Sequence, residues 1–298
     1  MRVLVTGSAG FVGRHIIKKL AERGHSAFGI DIREMDAAKR VDVRHGKAVV
    51  EAFRRIRPEY VVHLAAFISP PESMVKPLMY ISNNTVGTVN VLESCRKFDI
   101  RKIVYFSSAA VYGEPSEYPL RESSPVRPVN PYGVSKLMSE KAVEGYSSSY
   151  GLNYTIFRPS NIYGIGQNPE YAGVMHAFAK AIANGKDPVI FGDGNQTRDF
   201  IHVNDVTEAV VRALESEARN LVMNLSSGKS VTVNFLAKIF KEVYDKKINF
   251  IYGPPREGDI YRSELSNELV TKALNWCPQV KLQDGLREII EWYLNSQR

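Results

Sequence analysis

Tyr132 and Lys136 stand four residues apart in the stretch Asn130-Pro131-Tyr132-Gly133-Val134-Ser135-Lys136. On a helix that spacing puts a phenol and an ammonium on one face, about one turn from each other. A free phenol titrates near pH ~10 and is a poor base at neutrality. A neighbouring cation favours the phenolate, which is what proton abstraction from an alcohol or sugar hydroxyl requires. The predicted chemistry is Tyr132 as base and Lys136 as its tuner. This is the only Tyr-x-x-x-Lys among the 15 tyrosines, but roughly one such match is expected by chance. A half-buried ring beside a snorkelling amine shows the same spacing. The elements around the pair have to decide between the two.

The chain opens with Arg2-Val3-Leu4-Val5-Thr6, which reads as a buried parallel strand. Gly7-Ser8-Ala9-Gly10-Phe11-Val12-Gly13 follows, and then a helical pattern with Ile16, Ile17 and Leu20 apolar. Glycine is needed at such a turn so that backbone amides reach a pyrophosphate unobstructed and the helix packs close to the strand. The spacing is Gly-x-x-Gly-x-x-Gly, which still offers a helix N-terminus to an anion. A second strand at 27 to 30 ends in Asp31. A carboxylate there accepts both ribose hydroxyls of adenosine and repels a 2′-phosphate, which selects NAD, although Arg33 nearby works the other way.

Val41-Asp42-Val43 reads as a third strand and 47 to 56 as a helix. A fourth strand at 60 to 66 ends in the small pair Ala65-Ala66, as a flat cofactor lying on a strand end requires. His63, inside that apolar strand, is assigned a structural part. A long helical stretch covers about 72 to 97, and a fifth strand at 102 to 106 runs into Ser107-Ser108. In a parallel sheet the carboxyl ends of the strands line the ligand crevice, so Ser108 would face the reacting hydroxyl. Ser-Ser after a strand is also ordinary turn chemistry. The helix from about 130 to 150 carries Tyr132 and Lys136, and a sixth strand spans 154 to 159. Short strands alternating with helices predict an α/β fold, a doubly wound parallel sheet.

After residue 160 the regularity changes. A loop at 164 to 173, helices at 174–185, 204–216 and 231–244, strands near 189–191, 221–225 and 249–251, and closing helices to 296 predict a smaller, interleaved lobe. The expected division is a cofactor-binding domain over 1–163, completed by about 192–225, and a substrate lobe from 164–191 and 226–298.

A chain of 298 residues can bury a full core. Its +7 charge suggests an anionic partner. The basic residues are spread out and form no aromatic-interleaved stripe, so a phosphate-bearing small molecule is favoured over nucleic acid. Cys95 and Cys277 have no metal or redox spacing. No leader or membrane-spanning run is read, and the expected location is cytoplasmic.

Taken in order, these pieces resemble the extended short-chain dehydrogenase/reductase superfamily. Within it the resemblance is to the NAD-dependent epimerase/dehydratase family and its UDP-glucose 4-epimerase-like members. It rests on Gly7/Gly10/Gly13, the strand ending Leu64-Ala65-Ala66, residues 84–88 and 107–113, Tyr132/Lys136, Arg158-Pro159-Ser160-Asn161-Ile162-Tyr163-Gly164, and residues 192–203.

The resemblance implies that Tyr132 is the proton acceptor, that Lys136 also holds the nicotinamide ribose, and that Ser108 binds the reacting hydroxyl. NAD would rest on Gly7, Ala9, Gly10, Phe11 and Val12, on Asp31 and Ile32, on Asp42 and Val43 by the adenine, on Leu64, Ala65 and Ala66, and on Ser107, with Asn84 as both a structural and a cofactor-side residue. Asn161, Val189, Phe191, Arg198, Arg256 and Asp259 would bind a nucleotide-diphosphate sugar, the arginines by their planar fork. For Arg198 and Arg256 a surface ion pair with Asp199 or Glu257 has the same spacing. The implied activity is 4-epimerisation, most simply of UDP-glucose and UDP-galactose, through a 4-keto sugar and a retained NAD. Another epimerase, a reductase or a dehydrogenase on the same scaffold is the alternative, and a non-catalytic regulator is the reading from outside enzymology. Family dehydratases carry an acidic pair where this chain has Ala109-Ala110, which argues against dehydration. Ser160 stands where many relatives are bulkier. Ser263 stands where some strict glucose/galactose epimerases carry tyrosine, which predicts room for N-acetylated hexosamines. No metal is expected, and relatives imply a homodimer through the helices near 72–97 and 130–150.

Overall fold

The computed structural model describes residues 1–33, 38–168, 173–244, 247–255 and 260–296. At its centre seven parallel strands pair in the order β10-β6-β5-β4-β1-β2-β3. They are β1 (Arg2–Thr6), β2 (Ser26–Asp31), β3 (Ala38–Arg40), β4 (Tyr60–His63), β5 (Lys102–Phe106), β6 (Asn153–Pro159) and β10 (Leu221–Leu225). β1 pairs on one side with β2 and on the other with β4, so Val5 lies between Gly29 and Val62. The chain therefore runs outward through β2 and β3 and returns to the far side of β1. The order of strands reverses between β1 and β4, and a ligand crevice opens at the carboxyl ends of such a pair. Those ends are Thr6 with its glycine turn and His63 with Leu64 to follow.

Period-2 alternation sends β1 into both faces of the sheet. Val3 and Val5 pack in one apolar cluster with Ile16 and Leu20 of α1 (Phe11–Glu22) and Val206 and Val210 of α8 (Val203–Glu215). Leu4 packs in the other with Val49 and Phe53 of α2 (Gly46–Ile56), Val91 of α5 (Gly87–Lys97) and Val143 of α6 (Pro131–Tyr150). Burial on both faces is why these strands read as unbroken apolar runs. The remaining strands form two small sheets, β11 (Ser230–Thr232), β9 (Thr197–His202) and β7 (Asn161–Tyr163) in one, β12 (Ile251–Gly253) and β8 (Val189–Phe191) in the other. With α7 (Val174–Ala183), α9 (Val233–Val243) and α11 (Leu282–Asn295) they enclose a third cluster around Phe178, Phe240 and Ile289. Helix α10 (Glu268–Leu274) packs on the first cluster through Val270 and Leu274. No described helix is long and apolar enough to cross a membrane.

Four expectations about elements change: the strand expected at 60–66 ends at His63, and Leu64 to Ala66 lie in the loop that follows. Val41-Asp42-Val43 lies outside any strand, and the third strand is Ala38–Arg40, three residues earlier. The long helix before β5 is broken into α3 (Pro70–Val75), α4 (Pro77–Tyr80), a π-turn over Ile81–Val86, and α5. Pro77 forces Lys76 out of the helical region, to φ −127° and ψ 54°. The π-turn arises where the Asn84 amide is drawn out to the backbone of Phe67. Finally, the strand expected at 249–251 is Ile251–Gly253.

Lys102 locks the sheet to a helix end. It is buried, and its Nζ donates to the carbonyls of Ala213, Ser216 and Ala218 at the C-terminus of α8. Burial pulls its pKa down to about 8 against the opposing charge of Glu217. Lys102→Met leaves those carbonyls without their donor and is expected to cost about 1–3 kcal/mol. The check is a lower urea midpoint at unchanged slope.

Candidate functional site

A cleft of about 1570 Å³ opens at the carboxyl ends of the strands. One wall is the glycine turn. Gly7 has φ +71°, and a Cβ on it would sit 2.8 Å from the Ala65 backbone nitrogen. A Cβ on Gly13 would sit 2.3 Å from the Gly7 carbonyl oxygen. The residue that caps α1 is Gly10, which supplies no side-chain cap. The first amides of α1 are thus presented to the cleft at the positive end of the helix dipole. Asp31 fixes this turn from the end of β2: Oδ2 accepts from the Ala9 N–H at 3.0 Å and Oδ1 from the Arg33 N–H at 2.9 Å. Its carboxylate lines the cleft with Ile30, Ile32, Val41 and Val43.

At the centre of the cleft α6 meets the end of β5. Asn130 caps the helix by accepting from the Gly133 N–H at 2.9 Å, with Pro131 at the first position, which sets Tyr132 in the opening turn. The Tyr132 ring is 8% exposed and stands edge-on to Tyr80 at 6.4 Å. Burial raises its pKa, and a hydrogen bond with Ser108 works the other way. Ser108 also caps the short turn Ala109–Tyr112, accepting from the Ala110 N–H at 3.1 Å.

Lys136 is buried and donates from Nζ to the Phe106 carbonyl at 2.7 Å, 5.3 Å from the centre of the Tyr105 ring. Burial brings its pKa down to about 7, opposed by Glu140. In this arrangement the hydroxyl of Ser108 lies near the phenol and a backbone carbonyl holds the ammonium. The simple picture of an ammonium tuning a phenol becomes one in which burial weighs on both groups.

His63 is confirmed in its structural part. Thr6 Oγ1 lies 2.6 Å from Nδ1 and Thr88 Oγ1 2.9 Å from Nε2. Thr88 gives its proton to the Asn84 carbonyl, so Nε2–H donates to Thr88 and Nδ1 accepts from Thr6. Burial, with the Lys136 charge, holds His63 neutral with a pKa down at about 3.

The opposite wall carries Asn161, Val189, Phe191, Gln196, Arg198 and Phe200. Asn161 Nδ2 donates to the Asp199 carbonyl at 3.0 Å, and Arg198 Nη1 to the Thr197 carbonyl at 2.8 Å. Ser160 donates to Asp199 Oδ1 at 3.1 Å, which turns its hydroxyl to the buried carboxylate behind it.

A model described as the NAD dependent epimerase/dehydratase family matches residues 3–226. This chain belongs to that family. It is 33% identical to a UDP-glucose 4-epimerase of Mycolicibacterium smegmatis over the whole of both chains. Among solved structures it is similar to a UDP-glucose 4-epimerase of Thermotoga maritima with UDP-glucose, at 34% identity, TM-score 0.93 and full coverage of both chains. It is as similar to a UDP-N-acetylglucosamine 4-epimerase of Methanobrevibacter ruminantium in complex with UDP-N-acetylmuramic acid, at 32% identity and TM-score 0.93, covering 99% of this chain and 98% of that one.

The family's cofactor is NAD, and the residues present fit it. Side chains at Gly7 and Gly13 would run into the backbone of Ala65, Gly7 and Ser8, so only glycine lets the turn pass this tightly between β1 and α1, whose opening residues Phe11 to Gly13 line the cleft with no side-chain cap over their amides. Asp31 stands at the end of β2 beside them, and Lys136 lines the same cleft.

The cleft brings together Gly7, Ala9, Gly10, Phe11, Val12, Asp31, Ile32, Val43, Leu64, Ala65, Ala66, Ser107, Ser108, Tyr132 and Lys136 with the opposite wall. It does not bring in two residues expected beside NAD. Asp42 is turned to Arg44, whose guanidinium is 2.6 Å from Oδ2 and holds the carboxyl below its usual range, while Val41 and Val43 line the cleft in its place. The Asn84 amide is consumed by Phe67 and Ser135, and Asn83 lines the cleft instead. Arg256 and Asp259 lie outside the described residues. Gln196, which lines the cleft and donates to the Phe191 carbonyl at 2.7 Å, was not singled out from sequence. Nor were Glu140 and Arg158 as a pair, although Glu140 stands one helical turn beyond Lys136.

Proposed function

We propose that this protein is a UDP-sugar 4-epimerase that interconverts UDP-glucose and UDP-galactose and also accepts N-acetylhexosamine derivatives. The observation that supports this reading is that Tyr132, Ser108 and Lys136 line one cleft together with the glycine turn and with Asn161, Phe191 and Arg198. Ser108 orients the sugar's 4-hydroxyl and Tyr132 takes its proton. NAD, when bound, would supply reversible hydride chemistry at carbon 4. Tyr132 then gives the proton back at the same oxygen. Lys136 holds positive charge beside the phenol and the nicotinamide ribose. Asn161 and Arg198 grip the diphosphate while Val189 and Phe191 pack on the nucleotide, so the sugar alone is free to turn. Ala109-Ala110 supplies no carboxylate to eliminate water. In this reading the seven-stranded sheet with its helices binds NAD, and the small sheets with α7, α9 and α11 bind the nucleotide sugar.

The test is turnover of UDP-glucose to UDP-galactose with no net rise in reduced-nicotinamide absorbance. A stoichiometric rise would point instead to a dehydrogenase on this scaffold. For the wider substrate range, Ser263 is the relevant position. Ser263 is not among the residues that line the cleft, but its backbone N–H donates to Thr197 Oγ1 at 3.3 Å, and Thr197 adjoins the lining residue Arg198. Ser263→Tyr is expected to reduce turnover of UDP-N-acetylglucosamine at least tenfold relative to UDP-glucose, about the effect of a steric clash near 1.4 kcal/mol. Equal loss on both substrates would remove Ser263 from the argument.

The protein is further read as a homodimer. Met74, Val75 and Leu78 on α3 and α4, with Val86, Val134 and Met138, leave large apolar side chains in solvent, Leu78 being 83% exposed. An exposed apolar set of this kind marks an interaction surface. Leu78→Asp with Met138→Glu is expected to halve the mass measured by sedimentation, and an unchanged mass would contradict the assignment.

A further inference from the structure

Three positions at successive turns of α6 hold three consecutive residues at the end of β5. Tyr132 lies near Ser108, Lys136 Nζ donates to the Phe106 carbonyl, and Glu140 accepts from the Ser107 hydroxyl. Residues four apart share a helix face, so the third of these stands in line with the catalytic pair. Glu140 and Arg158 are both buried, at 0% and 5% exposure. Arg158 Nη2 lies 2.7 Å from Oε2 and its Nε 3.0 Å from Oε1, a two-point grip. Arg158 Nη1 also donates to the Tyr112 hydroxyl at 3.1 Å, which donates to Asn224 Oδ1 at 2.7 Å. The chain of contacts laces β5, β6 and β10 to α6 directly behind the cleft. Arginine alone would be balanced by a carboxylate anywhere beside it. What this carboxylate adds is its place, one turn from the buried ammonium and on the serine that lines the cleft.

We propose that Glu140 is a positioning residue of the active site, which keeps Lys136 in its charged form and holds Ser107 in place along the cofactor cleft. The proposal rests on the reading of Lys136 as the partner of Tyr132. The groups around the lysine are few. On α6 they are Tyr132 and Glu140, on β5 the ring of Tyr105, on β4 the neutral His63, and on β6 Arg158, already engaged by Glu140. Burial drives the ammonium toward neutrality, and Glu140 is the charge that opposes it. A group pulled down in this way is charged below its pKa and loses its proton as pH rises through it. Without Glu140 that loss moves to lower pH.

The experiment reads the lysine itself. Protein labelled with carbon-13 at the lysine ε carbons is titrated by NMR, with the Lys136 signal assigned by its absence in Lys136→Met. Glu140→Gln is expected to lower the Lys136 midpoint by about 1–3 pH units, the effect of losing one opposite charge at close range. The basic limb of the kcat/KM profile moves with it. Arg158→Met breaks the same ion pair from the other side and is expected to leave the midpoint where it was or raise it. If Glu140→Gln does not fold, Glu140→Gln with Arg158→Met removes both buried charges and carries the same expected lowering. An unchanged midpoint in the Glu140 variants, or a lowering equal to it in Arg158→Met, would overturn the proposal and leave a purely structural ion pair. Absence of epimerisation by the unmodified protein would refute the proposed function and leave this titration standing.

Discussion

Tyr132→Phe is expected to lower kcat by about 10²–10⁴-fold, the range associated with a positioned acid or base. The substitution keeps the ring that packs edge-on to Tyr80 and removes only the hydroxyl oxygen near Ser108. Binding of NAD and of the nucleotide sugar should therefore change little, so the loss falls on kcat and leaves KM near its original value. Ser108→Ala should act in the same direction and more weakly, because it removes the group that orients the hydroxyl and keeps the proton acceptor. Stopped turnover with retained cofactor and an unchanged unfolding midpoint is the signature to look for. Activity within tenfold of the unmodified enzyme would mean that another group takes the proton.

Gly13→Ala is expected to abolish cofactor retention. The added carbon would stand 2.3 Å from the Gly7 carbonyl oxygen and 2.7 Å from the Ser8 Cα, both backbone atoms that no rotamer change can move. Either the turn opens or α1 shifts away from β1. In each case the amides of α1 leave the place from which they would meet the pyrophosphate. Overpacking at a backbone contact costs about 1–3 kcal/mol, so folding survives in a stable protein while NAD binding does not. Fluorescence titration with NAD gives the affinity, and the unfolding midpoint separates the two effects. An affinity unchanged within threefold would show that the glycine turn does not hold the cofactor.

What the sequence made legible is local. The strand, glycine turn and helix at 2–22 are neighbours in the chain, and the four-residue step from Tyr132 to Lys136 is contained in about one turn of helix. The parallel sheet followed from apolar runs separated by helical ones. Long-range hydrogen bonds were less visible. Nothing in residues 81–86 announces a π-turn, because the pull on Asn84 comes from Phe67, 17 residues away. The family resemblance sets Asp42 by the adenine, and its carboxylate is engaged by Arg44. The break at Pro77 was readable in principle, since a residue before proline is driven from the helix. Glu140 and Arg158 come together across 18 residues, and only the step of four from Lys136 hinted at the first of them. Ser160 was read for its small size, while its hydroxyl turns out to be committed to Asp199.

The central claim is that Tyr132, Ser108 and Lys136 act on a sugar hydroxyl beside a retained NAD, with no net redox change. The measurement that tests it most directly is proton NMR of the sugar anomeric signals during incubation with UDP-glucose and no added NAD. Growth of UDP-galactose to an equilibrium mixture, absent in Tyr132→Phe, is the predicted result. Unchanged UDP-glucose, with NAD then added and with UDP-N-acetylglucosamine offered in its place, would contradict it.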